Sequence, residues 1–205
     1  MPCPQTVRTR NRLLLSRIFG LLIVTILLFG ANTQTDSAGA VLGDVLFCAG
    51  VLMAVAGFFG RLWCLSHIAG RKKKILVTTG PYSLCRHPLY FFSMIGGMGL
   101  ALCTETLTIP LVFLLAFALY YPVAIRGEDC FLSGKFPEYE AYKARVPAFF
   151  PRLSSFDEGG ELQVNARRLR REILAAAGFV ACLGVIELVE VLHAIEVIPT
   201  YFRIP

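Results

Sequence analysis

Long apolar runs, rather than alternating or one-sided patterns, dominate this chain. A helix needs roughly 20 apolar residues to cross a bilayer core. Five runs approach that length: Leu13–Ala31, Val41–Gly60, Pro88–Cys103, Leu107–Ile125 and Ile173–Leu192. Only "TET" separates the third run from the fourth, so these two form a helical hairpin. The pattern predicts an all-α, polytopic membrane protein with about five transmembrane helices.

Composition strengthens this prediction. Hydrophobic residues make up 56% of the 205 residues and charged residues only 17%, whereas a soluble domain carries about 25% charged residues.

The seven cysteines show no C-x-x-C spacing, so we expect no metal site. Glu187, Glu190, His193 and Glu196 are read as the amphipathic outer end of the fifth span.

The basic residues predict the orientation of the spans. They cluster at residues 8–17, 71–74, 126–152 and 167–171. With five spans, all four clusters fall on one side, which the positive-inside rule makes cytoplasmic. The net charge of +6 is then explained by orientation and by attraction to anionic lipid head groups. We expect membrane lipids as partners and no nucleic acid.

Three regions are predicted along the chain: an N-terminal transmembrane hairpin (1–70), a core with polar motifs (71–153), and a linker with a last transmembrane helix (154–205). In the third span, Ser93, Gly97 and Ala101 recur every four residues. Such a stripe lets another helix approach closely. The expected partners are two pairs on the second span, Gly50 with Ala54 and Ala56 with Gly60.

Two polar segments flank the predicted hairpin. The first, "GPYSLCRHPLY" (80–90), places Arg86 and His87 just before Pro88, a residue that suits the first turn of a helix. The second begins with "RGED" (126–129) at the end of span four. Because the hairpin returns the chain to its starting side, the two segments meet at the cytoplasmic face. Alone, the first segment is equally compatible with an interfacial anchor, with Arg86 on lipid phosphate.

The two segments together resemble a known family. "GPYSLCRHPLY", a helical hairpin, "RGED" and "FPEYEAYKARVPAFFP" follow in order. This arrangement is similar to the integral-membrane methyltransferases, which include isoprenylcysteine carboxyl methyltransferases and phospholipid methyltransferases. The resemblance covers roughly residues 76–153. Asp129 stands where the second Glu of the family's R-x-E-E pattern is usual.

The resemblance implies S-adenosyl-L-methionine as methyl donor, bound without a Rossmann fold, and a lipophilic acceptor that enters from the bilayer. Arg126 and Glu128 become the catalytic candidates that hold the acceptor head. The implied cofactor-binding residues are Tyr82, His87, Tyr90, Glu128, Asp129, Tyr139, Tyr142, Arg145 and Pro147.

The expected function is therefore methyl transfer to a lipidic or lipid-tethered acceptor at the cytoplasmic side of the membrane. An arginine orients a carboxylate acceptor, whereas a carboxylate suits an amine that must lose a proton. Arg126 and Glu128 fit either. A prenylated-cysteine carboxylate ranks first by resemblance, followed by a phospholipid amine or another hydrophobic small molecule. A non-catalytic membrane scaffold with the same fold is the rival hypothesis.

Overall fold

Helices make up most of the described residues, together with one short strand pair and several loops. The computed structural model describes residues 30–32, 37–68, 75–159, 166–195, 197 and 202–204. The elements are β1 (Gly30–Asn32), α1 (Ser37–Ile68), α2 (Pro81–Leu84), α3 (Pro88–Leu102), α4 (Thr108–Lys135), α5 (Tyr139–Arg145), a 3-10 turn (Leu153–Ser155), α6 (Ala166–Ala194) and β2 (Phe202–Ile204). Strands β1 and β2 pair in parallel, with Gly30 opposite Phe202. The all-α class is confirmed.

Four predicted spans correspond to helices. The second lies within α1, the third matches α3, the fourth starts α4, and the fifth lies within α6. The helix that contains the fourth predicted span does not end at Ile125 but continues to Lys135, so "RGED" lies on α4 itself. The helix passes through Pro122 without ending. The first predicted span, Leu13–Ala31, lies outside the described residues except for its last two.

Two of the described helices are long and apolar enough to cross a membrane. They are α1, from Val41 onward, and α4, and only 22% and 11% of their most apolar windows are buried. The core helix of a soluble protein would be mostly buried, so this exposure favours lipid around both helices. Helix α3 is apolar but shorter. The count of five spans stays a prediction, as does the division into three regions.

Helices α1 and α3 cross at a surface made of glycine. A Cβ atom built on Gly57 would lie 2.4 Å from the Cα of Gly96, and one built on Gly99 would lie 2.3 Å from the backbone nitrogen of Ala54. Both distances are far below van der Waals contact, so any larger residue would push the helices apart. Small residues give this close approach in membrane helices generally.

The predicted glycine face of α3 is wrong by one residue. Gly96 and Gly99 face α1, whereas Gly97 faces Phe113 of α4. Consecutive glycines at 96 and 97 fit two helical registers, and the four-residue spacing selected the one that faces α4. Ser93 of the same predicted stripe does face α1, because its hydroxyl accepts a hydrogen bond from Arg61. On α1 the predicted Gly50 and Ala54 do lie in the crossing, but Ala56 is exposed.

The bundle has two chemically different ends. At one end, the turn between α3 and α4 lies near acidic residues from two other helices. Burial raises the pKa of Glu105 in this turn, and the charges of Asp44 on α1 and Glu187 on α6 raise it further. We call this the hairpin end. The opposite end, where α1 ends and α3 begins, carries the polar motifs and is called the site end.

Replacing Gly57 with alanine is expected to destabilise the protein, because the new methyl group would overlap Gly96. Overpacking of this kind costs about 1–3 kcal/mol. Gly184→Ala is the matched control, since a Cβ there meets nothing within 4 Å and alanine favours a helix. Thermal unfolding in one detergent compares them. Equal unfolding temperatures for Gly57→Ala and wild type would contradict the described crossing.

Candidate functional site

Residues 80–88 form one side of the site, and we call this segment the wall. It starts with a tight turn. Gly80 has φ of 60°, and a Cβ there would lie 2.1 Å from Nε2 of His67. Glycine alone fits both the backbone angle and the space. The short helix α2 follows, and the Ser83 hydroxyl donates to the Gly80 carbonyl at 2.6 Å. Pro88 then begins α3, so Arg86 and His87 lie immediately before the helix.

A second segment, which we call the strap (Pro147–Asp157), is bound along this wall. The Arg86 and His87 amides donate to the carbonyls of Pro147 and Ala148 at 2.8 and 3.1 Å. Further along, the Arg152 amide donates to Leu84 and the Gly80 amide to Asp157. The strap pairs polar backbone groups that neither α2 nor α3 satisfies. The strap and the wall therefore hold each other in position.

Asp129 is the centre of a buried cluster of ionic and polar groups. Its carboxylate accepts from Arg86 Nη1 at 2.9 Å and from His87 Nε2 at 2.7 Å. The Tyr139 hydroxyl donates to the same oxygen as His87. These four residues, called the Asp129 cluster, come from three separate segments: the wall, α4 and α5. Three donors leave the carboxylate little capacity for a further ligand.

Glu128, the neighbour of Asp129 on α4, has a different environment. Its carboxylate lies 3.8 Å from Nδ1 of His87, and its side chain is 40% exposed, against 16% for Asp129. Successive helical residues point about 100° apart. The Asp129 carboxylate is thus hydrogen-bonded to protein groups, while the Glu128 carboxylate is accessible to a ligand.

The two tyrosines of α5 are buried donors. Tyr139 is fully buried, and the Tyr142 hydroxyl donates to the Tyr82 carbonyl at 2.6 Å. Burial raises the pKa of both hydroxyls, and for Tyr139 the hydrogen bond to Asp129 raises it further. Both phenols are therefore neutral near pH 7. Burial likewise raises the pKa of the Cys85 thiol to about 12, so this cysteine is a poor nucleophile.

A small pocket opens on one side of the Asp129 cluster, and we call it the polar pocket after the polar groups along one of its sides. Its volume is about 130 Å³, and these polar groups belong to Tyr82, Arg86, His87, Glu128 and Tyr142. The rest of its lining is apolar: Ile68, Ile75, Leu76, Val77, Phe131, Leu132 and Phe136. The Nε atom of Arg86 is buried and has no hydrogen-bond partner among the described residues, and such a donor is costly. The polar side of the pocket thus offers one cation, Arg86, and one carboxylate, Glu128.

A larger apolar groove opens on the other side of the cluster. It measures about 560 Å³ and is lined by Met94, Leu114, Phe117, Ala118, Tyr121, Pro122, Ile125, Arg126, Asp129, Ala148 and Phe149. The groove follows the exposed side of α4 and has a charged end at Arg126 and Asp129. Its shape and lining suit a molecule with an apolar chain and a polar head.

The structure brings most of the predicted site residues together. His87, Asp129 and Tyr139 lie in the Asp129 cluster, and Tyr82, Glu128 and Tyr142 line the polar pocket. The Tyr90 ring stacks on His87 at 5.7 Å. Pro147 contributes its carbonyl. Arg126 lies at the groove, whereas Arg145 is exposed at the end of α5.

The sequence-based site list missed several residues. Arg86 was left out, although its guanidinium both pairs with Asp129 and lines the polar pocket. The groove residues Phe117, Tyr121 and Phe149 were also missed. Phe117 and Tyr121 are four residues apart and stack at 3.5 Å, and this aromatic pair inside an apolar run was the available signal. No sequence pattern links Phe149 to them.

Comparisons with known proteins identify relatives along most of the chain. It is 39% identical over 197 residues to the nickel-cobalt-cadmium resistance protein NccN of Alcaligenes xylosoxydans xylosoxydans, covering 96% of this chain and 91% of that protein. It is 41% identical over 185 residues to the cobalt-zinc-cadmium resistance protein CzcN of Cupriavidus metallidurans, covering 90% and 84%.

A methyltransferase relationship appears as well. The chain is 29% identical over 123 residues to protein-S-isoprenylcysteine O-methyltransferase of Schizosaccharomyces pombe, covering 58% of this chain and 49% of that enzyme. No solved structure matches the chain significantly. Residues 38–139 match the family model described as phospholipid methyltransferase, a range that contains Arg86, His87, Glu128 and Asp129. The chain therefore belongs to the phospholipid methyltransferase family of membrane proteins.

Proposed function

We propose that this protein is an S-adenosyl-L-methionine-dependent methyltransferase that acts on a lipidic or lipid-tethered acceptor. The observation that carries the proposal is the placement of two unlike cavities on either side of the Asp129 cluster. The polar pocket, which is lined by both Arg86 and Glu128, suits a zwitterionic cofactor. An apolar groove with a charged end suits a lipid-like acceptor.

The residues of the polar pocket fit the cofactor chemically. The guanidinium of Arg86, which lines the pocket, would hold its carboxylate, and the exposed carboxylate of Glu128 would hold its ammonium group or a ribose hydroxyl. Tyrosine faces attract a sulfonium by the cation–π effect. At about 130 Å³ the pocket suits one end of such a molecule, since whole-ligand pockets start near roughly 300 Å³.

The chain's own residues would then supply alignment and exclusion of water. When bound, the cofactor supplies an electrophilic methyl group. Arg126 holds the acceptor head at the groove, and the packed rings of Phe117, Tyr121 and Phe149 keep water from its chain. Asp129 fixes Arg86 and His87 in place. Alignment of reacting groups supplies a large part of such catalysis.

We place the site on the cytoplasmic side of a multi-pass protein. All basic clusters fall on that side if there are five spans. The pairing of β1 with β2 supports this arrangement. It holds residues 30–32 beside residues 202–204, which requires an even number of crossings between them, and the five-span topology has four.

The relatives' names favour a second candidate role, in resistance to metal ions. Proteins 39% and 41% identical to this chain are named for resistance to nickel, cobalt, zinc and cadmium. We propose that methylation of a membrane component by this protein contributes to such resistance. Metal resistance would then depend on methyl transfer at the site described above and would require an intact Arg126.

Substitutions of the neighbouring carboxylates Glu128 and Asp129 are expected to have different effects, the first on cofactor affinity and the second on stability. Glu128→Gln removes a ligand contact, so calorimetry should show S-adenosylmethionine affinity reduced about tenfold or more, or roughly 1.4 kcal/mol, with unchanged thermal unfolding. Asp129→Asn leaves the buried Arg86 charge uncompensated and should cost about 3 kcal/mol of stability. Equal unfolding temperatures for both variants would contradict these roles. Absence of cofactor binding to wild type would overturn the enzyme proposal.

Arg126→Ala should abolish turnover and leave cofactor affinity nearly unchanged, because Arg126 lines the groove and not the polar pocket. The assay uses methyl-labelled cofactor with a total lipid extract, a prenylated cysteine and an ethanolamine phospholipid. We expect a loss of more than about a hundredfold. Lys143→Ala, which removes an exposed cation from α5, serves as control. Equal losses of affinity and turnover would show that the role of Arg126 is assigned wrongly.

The resistance role predicts that growth on cadmium or cobalt salts depends on catalysis. A host carrying the wild-type gene should tolerate more metal than one carrying Arg126→Ala at matched protein levels. Tolerance equal to wild type in the Arg126→Ala strain would separate resistance from methyl transfer. A Lys143→Ala strain controls for general effects of removing a positive charge.

A further inference from the structure

The strap carries large apolar side chains that point away from the protein. Phe150 is 74% exposed, Leu153 is 80% exposed and Phe156 is 52% exposed. Single exposed apolar residues are ordinary on a protein surface, but a group of them is a sign of an interaction site. Here three of them occur within seven consecutive residues.

The strap is also held firmly in this conformation. Its backbone is hydrogen-bonded to the wall at Arg86, His87 and Leu84, and the Ser155 hydroxyl donates to the Ser83 carbonyl at 3.0 Å. Turning the apolar side chains inward would break these bonds. Their exposure is therefore a property of the folded segment and calls for an apolar partner outside it.

Both ends of the strap lie against apolar helices: Phe149 against the first turn of α3 and the middle part of α4, and Phe156 near the end of α1. Phe149 packs on Phe91 and Phe117, with ring centroids 5.7 and 5.9 Å apart. Phe156 packs near Trp63 of α1 at 6.2 Å. Phe91 is three residues inside α3 and Trp63 five residues inside α1, about 5–8 Å along the helix axes. The strap thus lies level with the end of α1 and the start of α3.

We propose that the strap is an interfacial anchor whose Phe150 and Leu153 side chains insert into the boundary between lipid head groups and acyl chains. Helix α4, on which Phe149 packs, also exposes large apolar side chains, among them Leu115, Leu119 and Val123. Arg152, exposed between the two apolar residues, suits a lipid phosphate. Asp157 at the far end of the strap and Glu158 directly after it are also exposed.

This placement has a consequence for the groove. Ala148 and Phe149 line the groove, and the same segment fixes the backbone of Arg86 and His87. An anchored strap therefore holds the groove mouth at the lipid boundary. A molecule with an acyl or prenyl chain then reaches Arg126 without its chain crossing water.

Fluorescence quenching in vesicles tests the anchor without any assay of activity. The native tryptophan is replaced (Trp63→Phe), and Phe150→Trp and Leu153→Trp are made separately, each at an exposed position that tolerates a larger ring. The protein is reconstituted in phosphatidylcholine vesicles with or without bromine on the acyl chains. Ala141→Trp is the control, because Ala141 is exposed on α5, which packs against Leu132 near the far end of α4.

Brominated lipid should quench Trp at 150 and at 153 about twofold or more, while acrylamide in the water quenches them weakly. The control should behave in the opposite way. Strong quenching by acrylamide at both strap positions, equal to that of the control, would overturn the proposal. Weak quenching by both agents would mean that protein, for example a second copy of the chain, covers the strap, and would also overturn it.

Discussion

The carboxylate of Asp129 connects the parts of the site. It accepts hydrogen bonds from Arg86 and His87 on the wall and from Tyr139 on α5, and it is itself carried by α4. Without this acceptor, a buried arginine would face a buried histidine at short range, and three segments that are distant in sequence would lose their common partner. Such a cluster is costly to bury unless it is fully paired.

The helical framework supplies the constraint that makes this meeting possible. Glycines let α1 and α3 pack backbone to backbone, which fixes the start of α3 at the site end. Helix α4 then runs ten residues past the predicted end of its apolar stretch, carrying Asp129 out to the level of His87. The strap completes the arrangement by pairing the backbone between α2 and α3.

Family membership and the two cavities support the same function from different directions. The family model spans the wall, the hairpin and the start of α5, and the cavities lie on either side of the cluster that this range builds. The relatives named for metal resistance share most of the chain. A methylated membrane component would reconcile the names of the relatives with the methyltransferase family.

The sequence by itself determined the helical class and the positions of four apolar helices, because apolar run length is a local property. The resemblance of its short motifs to a known family implied most residues of the candidate site. His87, Glu128 and Tyr139 were found in this way. Residue spacing could not decide which glycine of the pair 96–97 faces α1, since both registers fit a helix.

Only the tertiary structure separated the roles of Glu128 and Asp129. Adjacent carboxylates look alike in sequence, but helical geometry turns one into the cluster and the other toward the pocket. The tertiary structure also packs Phe149 on Phe117 and leaves Phe150 exposed. Those outcomes depend on contacts between segments far apart in the chain, which no local pattern encodes.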